Sequence, residues 1–564
     1  MRCDYNTSMP WRSLWALLLL LQLSFRGPVN NYLQVQPTPS SCPAPCMLVR
    51  VFPDGGLHVG DWVSLQIVAP HGQDLNQKRL VVKISSASPV GGLNQPVLSI
   101  LGPVNFSLND AQNYTATFTW AWDTHNLASG SYVLAFSVSP GGPAWDETIQ
   151  LEPPRLNPPH WATAHSACCT FDYITGTAAD RDLAAIEKTA DQQAQSVSQA
   201  LGAPFKGSIP IVLIPRVLGQ GGFTTDKILV SYLDRNYSSP NFALILHHEM
   251  VHYLDFQLGG DLRPLFFVEG LAVYLSGGHY NTEPLFMTAA TLPEQGLYLP
   301  FPHLMDAFYD SQHEVGYVEA AAFVQWMVNT WGWNAFSSFY RDIHPAAEAS
   351  VSADVDQALQ RHYHRSLFQM EDSFLNDLMA QPVNPDLANA IRLTASFFDA
   401  VRRYQQLLDP SAYFRQTWLL DVNTMIHKGI VADYTQHPDS VTNLTLEMLM
   451  ENAWQDVENG NDYRASVTIQ AINRALDRLE AGANQNPDLA ALDRFFTQAV
   501  DQNPLASSME GAVEAAERCG GQLQKIQLQK NQGQAVMTTA WPQSKTIKLT
   551  YQQTWSADCS GILK

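Results

Sequence analysis

Two histidines four positions apart constrain the fold of this chain more than any other feature of its sequence. They stand in the segment His248-Glu249-Met250-Val251-His252, inside an apolar stretch that ends at Gly259-Gly260. The helix breakers around this stretch predict a helix over about 241–258. On a helix, residues four positions apart project from the same face, so both imidazoles can reach one metal ion. The alternative is a helix whose histidines only cover the edge of a core.

A second acidic residue follows the histidines at a distance that suits the same metal ion. A turn at 261–264 leads into a predicted helix with the sequence Phe267-Val268-Glu269-Gly270-Leu271-Ala272-Val273-Tyr274. Two helices joined by a short loop can return the Glu269 carboxylate to the histidines and complete the His₂Glu set of catalytic zinc. Glu249 stands beside the first histidine, where its carboxylate can take a proton from an attacking water. These residues predict a zinc-dependent hydrolytic site.

The two motifs together resemble the gluzincin metallopeptidases. In this chain the segment 248–252 is followed, after sixteen residues, by the glutamate of 268–274. More specifically, the region of about 160–345 resembles the peptidase MA-like domain related to the aminopeptidase N family. The resemblance implies that His248, His252 and Glu269 bind one zinc ion and that Glu249 is the general base. Metzincins are excluded, because the residues after His252 lack the downstream glycine and third histidine of that group.

The resemblance also implies a second group that donates a hydrogen bond to the reaction's oxyanion. In the aminopeptidase relatives this donor is a tyrosine on a later helix, and Tyr317 occupies a similar place here, with an ordinary core tyrosine as the alternative. Asp255, about one helical turn after His252, is expected to orient that histidine or else to face solvent. The rival oxyanion donors are His279, His303 and His313.

One feature departs from the aminopeptidase N pattern. That family grips a free amine with a Gly-x-Met-Glu-Asn stretch upstream of the zinc helix, but here Met450-Glu451-Asn452 lies far downstream and has no such glycine. Aminopeptidase specificity is therefore unsupported, and cleavage within chains is favoured. The strand predicted at 227–232 is the expected substrate-pairing edge, because an extended peptide can add its backbone to an open sheet edge.

The charge balance argues against nucleic acid as a partner. The 564-residue chain has 33 Lys and Arg against 53 Asp and Glu, which gives a net charge of −20. Contacts to phosphates need clustered basic residues instead. The expected partner is therefore a peptide or protein substrate, and no sequence feature specifies an oligomeric state.

An apolar run near the N-terminus predicts export. Leu14–Phe25 follows Arg2 and Arg12, and it is shorter than the ~20 residues of a membrane-spanning helix. The run is typical of a signal-like leader, so the protein is expected to be secreted or extracytoplasmic. A retained membrane anchor with cell-surface association is the alternative. Six cysteines follow the leader, and the first disulfide pairs to consider are Cys42–Cys46 and Cys519–Cys559.

The hydrophobic pattern along the chain predicts a multidomain α+β protein. Short alternating runs between turns favour an immunoglobulin-like β-sandwich, and apolar residues at helical spacing dominate later. The predicted units are a leader (1–28), a linker (29–48), the immunoglobulin-like β-sandwich (49–153), a gluzincin-like catalytic domain (154–300), a helical subdomain closing the cleft (301–381), a helical bundle (382–503) and a small β-containing module (504–564).

Two functions from different classes are compatible with this sequence. The first is an exported zinc peptidase that hydrolyses peptide bonds. The second is a non-catalytic adhesion or scaffold protein of the cell surface that retains a zincin fold. The complete set of His248, Glu249, His252 and Glu269 favours the first, because a decayed site usually loses its base or a ligand.

Overall fold

The computed structural model describes most of the chain between residues 47 and 481. The described residues are 47–53, 56–69, 78–86, 98–100, 104–105, 116–219, 221–238, 241–346, 349–410, 412–413, 422–432, 437–438 and 441–481, together with strands at 522–529, 534–541, 543–550, 557–558 and 562–563. The leader, nearly all of the linker and the cysteines of the pairs Cys42–Cys46 and Cys519–Cys559 lie outside them. In the described ranges, no helix combines the length and apolarity needed to cross a membrane.

The first part of the described chain consists of strands in two sheets. One sheet has the order β1-β3-β7-β6 and the other β2-β9-β8-β4-β5. Along β8 every second side chain from Tyr132 to Val138 is buried, as expected for a sheet with one covered face. Leu65 of one sheet and Leu134 of the other belong to the same hydrophobic core. The immunoglobulin-like assignment stays a prediction. The strands are β1 (Leu48–Phe52), β2 (Leu57–His58), β3 (Trp62–Val68), β4 (Arg79–Ser86), β5 (Leu98–Ile100), β6 (Val104–Asn105), β7 (Ala116–Asp123), β8 (Gly130–Ser139) and β9 (Ala144–Glu152).

A third, mixed sheet packs against the helices that carry the candidate site. Its strands are β10 (Trp161–His165), β11 (Cys169–Ile174), β12 (Ile209–Ile214), β13 (Gly222–Thr224) and β14 (Ile228–Ser231). They lie in the order β10-β11-β12-β14-β13. Strands β11, β12 and β14 are parallel, whereas β10 and β13 run antiparallel at the two edges.

This strand order corrects the expected substrate-pairing edge. The strand predicted at 227–232 is β14, which lies inside the sheet between β12 and β13. All four residues of β14 are buried, as is typical of a strand with neighbours on both sides. The chain between β12 and β14 turns back as the short antiparallel strand β13, and β13 therefore forms the edge.

Helices cover this sheet and continue beyond it. In α1, buried residues recur at helical spacing, among them Ile186, Ala190 and Val197, which agrees with the amphipathic pattern of the sequence. The helices of this region are α1 (Ala178–Leu201), α2 (Phe242–Leu258), α3 (Leu265–Ser276), α4 (Leu285–Ala289), α5 (Leu292–Gln295), α6 (Phe301–Asp306), α7 (His313–Trp331), α8 (Trp333–Arg341), α9 (Val351–Tyr363) and α10 (Leu367–Met379), with a 3₁₀ turn at Phe308–Asp310.

Helices α3 and α7 cross at a glycine. A Cβ atom on Gly270 would lie 2.7 Å from the Ala320 carbonyl oxygen, so only glycine allows the two backbones to come this close. Glu269 precedes this glycine on α3, and Tyr317 lies about one turn before Ala320 on α7. The close crossing therefore brings the two predicted site residues toward the same seam.

The C-terminal described helices pack against this central region. Their core includes Phe397, Tyr404 and Trp454, and it also contains Tyr280 from the segment after α3. The combination of helices and several sheets is consistent with a multidomain α+β protein. The domain boundaries stay predictions. The remaining elements are α11 (Pro385–Leu408), α12 (Val422–Lys428), α13 (Val441–Glu458), α14 (Asp462–Glu480), a three-stranded antiparallel sheet of β15 (Gln522–Gln529), β16 (Gln534–Trp541) and β17 (Gln543–Thr550), and the pair β18 (Ala557–Asp558) and β19 (Ile562–Leu563).

Candidate metal centre

Helices α2 and α3 bring two imidazole nitrogens and one carboxylate oxygen together. His248 Nε2 lies 2.8 Å from His252 Nε2. Glu269 Oε2 lies 3.2 Å from His248 Nε2 and 3.3 Å from His252 Nε2. The side chains of His248 and Glu269 are buried, and that of His252 is nearly so. The three atoms form a compact triangle in the protein interior.

This triangle fits a zinc ion. Zinc bonds to nitrogen and oxygen are about 2.0–2.1 Å long, so neighbouring ligand atoms of a tetrahedral site lie roughly 3.3 Å apart. The two carboxylate–imidazole distances of 3.2 and 3.3 Å match that spacing, and the distance between the two nitrogens is slightly shorter. His₂Glu is also a donor set that catalytic zinc uses, with a fourth position left for water. The residues present therefore fit the ion that the sequence predicts.

The electrostatics of the triangle show strong coupling between its members. Burial by itself raises the pKa of Glu269, but the neighbouring His252 and His248 hold that pKa well below its ordinary value. Burial by itself lowers the pKa of His252, but Glu269 raises it to about 9. The Glu269 carboxylate is thus kept ionised by positive charge beside it. A cation between the three donor atoms supplies the same kind of charge, because a metal ligand must give up its proton.

Aromatic side chains lie beside the His248 ring, and the second ring nitrogens of both histidines lack hydrogen bonds to described residues. The Nδ1 atoms of His248 and His252 are both buried, and neither has a hydrogen-bond partner among the described residues. The His248 ring lies 5.7 Å from the ring of His279 and 6.3 Å from that of Tyr317. His279 and Tyr317 are therefore direct neighbours of this candidate ligand.

Glu249 is fixed against the edge strand of the sheet. Thr224 Oγ1 in β13 donates a hydrogen bond of 2.7 Å to Glu249 Oε2, and the same oxygen lies 3.1 Å from the Glu249 carbonyl oxygen. A Cβ on Gly222 would lie 2.9 Å from the Leu229 carbonyl oxygen and 3.2 Å from Glu249 Cγ, so glycine makes room for the carboxylate. Burial raises the pKa of Glu249, which strengthens it as a proton acceptor. No sequence signal pointed to Thr224.

Glu269 is fixed by a tyrosine that sequence reasoning also missed. Tyr309, in the 3₁₀ turn before α7, donates a hydrogen bond of 2.6 Å to Glu269 Oε1. That bond leaves Oε2, the other carboxylate oxygen, facing the two histidines. Tyr309 also has a side-chain hydrogen bond with Tyr317. The three residues therefore form a chain of contacts from α7 to the candidate metal ligand.

Tyr317 lies in the wall of the site. It is buried, and its ring stacks on His279 with 4.0 Å between ring centroids and 11° between planes. The His313 ring is 6.1 Å from Tyr317, and His313 Nε2 is 3.2 Å from the Tyr309 carbonyl oxygen. His303 is exposed on α6. The structure thus brings Tyr317, His279 and His313 to the site and leaves His303 at the surface.

The predicted role of Asp255 is corrected. Asp255 is buried, but its carboxylate accepts hydrogen bonds from Arg263, Tyr340 and Arg341 at 2.8–2.9 Å. His252 Nδ1 has no partner among the described residues, so Asp255 does not orient that ring by a hydrogen bond. Arg263 and Arg341 occupy the carboxylate with charge-assisted hydrogen bonds. Asp255 instead ties α2 to the following loop and to α8.

Comparisons with known proteins add little to this geometry. No family model matches the chain, and no curated protein matches it. Among solved structures, the chain is similar to the crystal structure of an aminopeptidase N family protein from Idiomarina loihiensis. The similarity covers 58% of this chain and 70% of that chain, with 10% identity and a TM-score of 0.22. A similarity this low carries no argument, so the chemistry of the site depends on the residues themselves.

Proposed function

We propose that this protein is a zinc-dependent peptidase whose metal ligands are His248, His252 and Glu269. The observation that carries the proposal is the buried triangle of donor atoms, 2.8–3.3 Å apart. The Glu249 carboxylate lies on α2, the helix that also carries His248 and His252. Metal, base and a candidate oxyanion donor are the three groups that hydrolysis of an amide by activated water requires. The side chains that would provide them all lie on helices, namely α2, α3 and α7.

Each side chain has a defined task in the reaction. When bound, zinc supplies a Lewis acid that activates water and polarises a carbonyl group. Glu249 accepts the proton of the attacking water and passes it to the leaving amine. Thr224 holds one oxygen of that carboxylate, so the base has a fixed orientation. Tyr317 donates a hydrogen bond to the developing oxyanion, with His279 and His313 as rival donors.

The substrate is a peptide or protein chain in extended conformation. Strand β13 forms the edge of the sheet, and its Thr224 touches the base, so a peptide paired with β13 would place its backbone near Glu249. Met450, Glu451 and Asn452 are buried in α13, which identifies that sequence as part of the helical core rather than an amine-binding motif. We therefore propose cleavage within chains rather than at a free N-terminus. We also propose export through the N-terminal leader.

The decisive experiment compares the native protein with Glu249→Gln on a mixed peptide library, together with zinc analysis. The amide still hydrogen-bonds water but accepts no proton, so zinc content is retained and turnover falls by about 10²–10⁴-fold. Glu371→Gln is the matched control, because Glu371 is a partly buried carboxylate that accepts hydrogen bonds from Phe301 N and Tyr298 away from the triangle. That variant is expected to keep its activity.

Two outcomes would contradict the proposal in different ways. Equal turnover by the native protein and Glu249→Gln would show that the base lies elsewhere. A native protein that binds zinc at full stoichiometry but cleaves no member of the library would favour the second function, a non-catalytic surface scaffold that retains the zinc site.

A further inference from the structure

A second group of metal-binding residue types lies outside the candidate metal centre, at the opposite edge region of the mixed sheet. Cys168 and Cys169 are adjacent in the chain and form a disulfide with each other. They stand in the turn between β10 and β11, where Cys169 begins β11. Asp191 of α1 approaches them, and one donor atom from each of the three residues lies within 4.8 Å of the others.

The backbone holds this cysteine pair firmly. Cys168 N donates a hydrogen bond of 2.9 Å to Asp191 Oδ1. The Cys168 carbonyl oxygen accepts from Ile209 N at 2.9 Å, and the Cys169 carbonyl oxygen accepts from Ser166 N at 2.9 Å. These bonds do not involve the sulfur atoms, so opening the disulfide does not require any of them to break. The two thiols of the reduced pair are therefore held next to each other in advance.

A disulfide between neighbouring residues is a poor structural staple. A cross-link stabilises a protein mainly by restricting its unfolded chain, and the effect grows with the length of the closed loop. The loop closed by Cys168 and Cys169 has a sequence separation of 1. The pair therefore contributes little to stability by this route, which directs attention to the chemistry of its sulfur atoms.

The two cysteines differ in exposure. Cys168 is partly exposed, whereas Cys169 is only 1% exposed. A surface depression adjoins the pair and is lined by residues from 165–170 and 205–209, including Phe205 and Ser208. A small thiol can therefore attack Cys168 Sγ with Cys169 as the leaving thiolate. A dithiol reductant completes the exchange: it loses two electrons and two protons to the cysteines and becomes a cyclic disulfide.

We propose that Cys168, Cys169 and Asp191 form a redox-controlled site for a soft divalent cation such as Zn²⁺ or Cd²⁺. In the disulfide state the sulfurs carry no charge and bind no ion. In the reduced state the two thiols release two protons, and the thiolates with the Asp191 carboxylate provide three anionic ligands. Thiolates select soft cations. Asp191 Oδ1 already accepts from Cys168 N and from Ser166 Oγ at 2.7 Å, which orients the carboxylate toward the pair.

Cadmium provides a readout that separates this site from the histidine centre. Cd²⁺ bound to thiolates shows an ultraviolet charge-transfer band, and His248, His252 and Glu269 contribute no sulfur. The full-length protein is reduced with a phosphine, and the phosphine is then removed under oxygen-free conditions. The reduced protein and the unreduced protein are each titrated with Cd²⁺ alone. We expect this band in the reduced native protein. Its saturation should require about one more equivalent of Cd²⁺ than in the reduced Cys168→Ser variant. Cys42→Ser, which removes a cysteine outside the pair, is expected to keep that band.

Asp191→Asn tests the third ligand without disturbing the turn. The amide oxygen still accepts from Cys168 N and Ser166 Oγ, but the negative charge is lost, so Cd²⁺ affinity should fall at least about tenfold. An unchanged affinity would remove Asp191 from the site. The same band in Cys168→Ser as in the native protein would overturn the site as a whole.

Alkylation followed by mass spectrometry of the unreduced protein tests the redox control directly. The peptide that contains Cys168 and Cys169 is expected to resist alkylation until the protein is reduced. Alkylation of both residues before reduction would overturn the redox control. The experiment is independent of peptidase activity, so its outcome does not depend on the function proposed for the histidine centre.

Discussion

Removal of the Tyr309 hydroxyl tests whether the hydrogen bond to Glu269 prepares this carboxylate for the metal. The Tyr309→Phe variant keeps the ring and therefore the packing of the 3₁₀ turn, but it loses the 2.6 Å bond to Glu269 Oε1. Without that bond the carboxylate can rotate, and Oε2 no longer faces His248 and His252 in one fixed orientation. The expected result is weaker zinc binding.

The structure sets the size of the effect. A hydrogen bond to a charged group contributes about 1.5–3 kcal/mol, and each 1.4 kcal/mol is a factor of ten in affinity, so the ceiling is roughly 10- to 150-fold. Only the part of this free energy that orders the carboxylate for metal binding contributes to the zinc affinity. Loss of a partner that orients a metal ligand typically costs about 10–100-fold. We therefore expect the zinc Kd of Tyr309→Phe to rise by about tenfold or more.

The assay is competition for zinc against a fluorescent chelator, with thermal unfolding of the metal-free protein measured in parallel. Tyr298→Phe is the matched control, because Tyr298 also donates to a carboxylate, Glu371 Oε1, at 3.1 Å. The control removes the same chemical group away from the triangle, and it should change stability but not zinc affinity. A native zinc Kd in Tyr309→Phe, or an equal loss of affinity in both variants, would refute the reasoning.

Three further variants test the remaining residues. His252→Ala should lose most bound zinc by metal analysis, because two ligands no longer hold the ion; full zinc content would exclude the site. Tyr317→Phe should lower kcat by roughly 10²–10³-fold with little change in KM, the size expected for one lost oxyanion donor, whereas a native kcat would shift attention to His279 and His313. Thr224→Val should keep zinc but lower kcat, because Glu249 loses its 2.7 Å hydrogen bond. Thr224→Ser keeps the hydroxyl group and should therefore have a higher kcat than Thr224→Val. Equal kcat values in the two variants would remove Thr224 from the mechanism.

The sequence alone was sufficient to predict that His248, His252 and Glu269 come together. The spacing of His248 and His252 is a property of one helix, and a helix has a fixed period of 3.6 residues. Glu269 follows on the next helix across a short loop, so its return to the same point was also predictable. Local geometry of this kind depends on a few neighbouring residues, and the structure places these three donor atoms together.

Other contacts of the site depend on residues that no local pattern connects. Thr224 is 25 positions from Glu249, and Tyr309 is 40 positions from Glu269. A threonine and a tyrosine at such distances carry no spacing signal, because side-chain hydrogen bonds across a fold are set by how whole elements pack. The edge position of β13 was likewise decided by strand order, which a run of apolar residues does not specify.

The same reason explains where the prediction for Asp255 was wrong. Its place about one turn after His252 made a hydrogen bond to that histidine plausible, but Arg263 of the following loop and Arg341 of α8 bind the carboxylate instead. The adjacency of Cys168 and Cys169 was visible in the sequence, whereas the approach of Asp191 from α1 was not. The sequence therefore determined which residues could bind a metal, since helical period fixes their spacing. Only the tertiary structure decided which partners orient them, since those partners come from elements that are distant in the chain and adjacent in space.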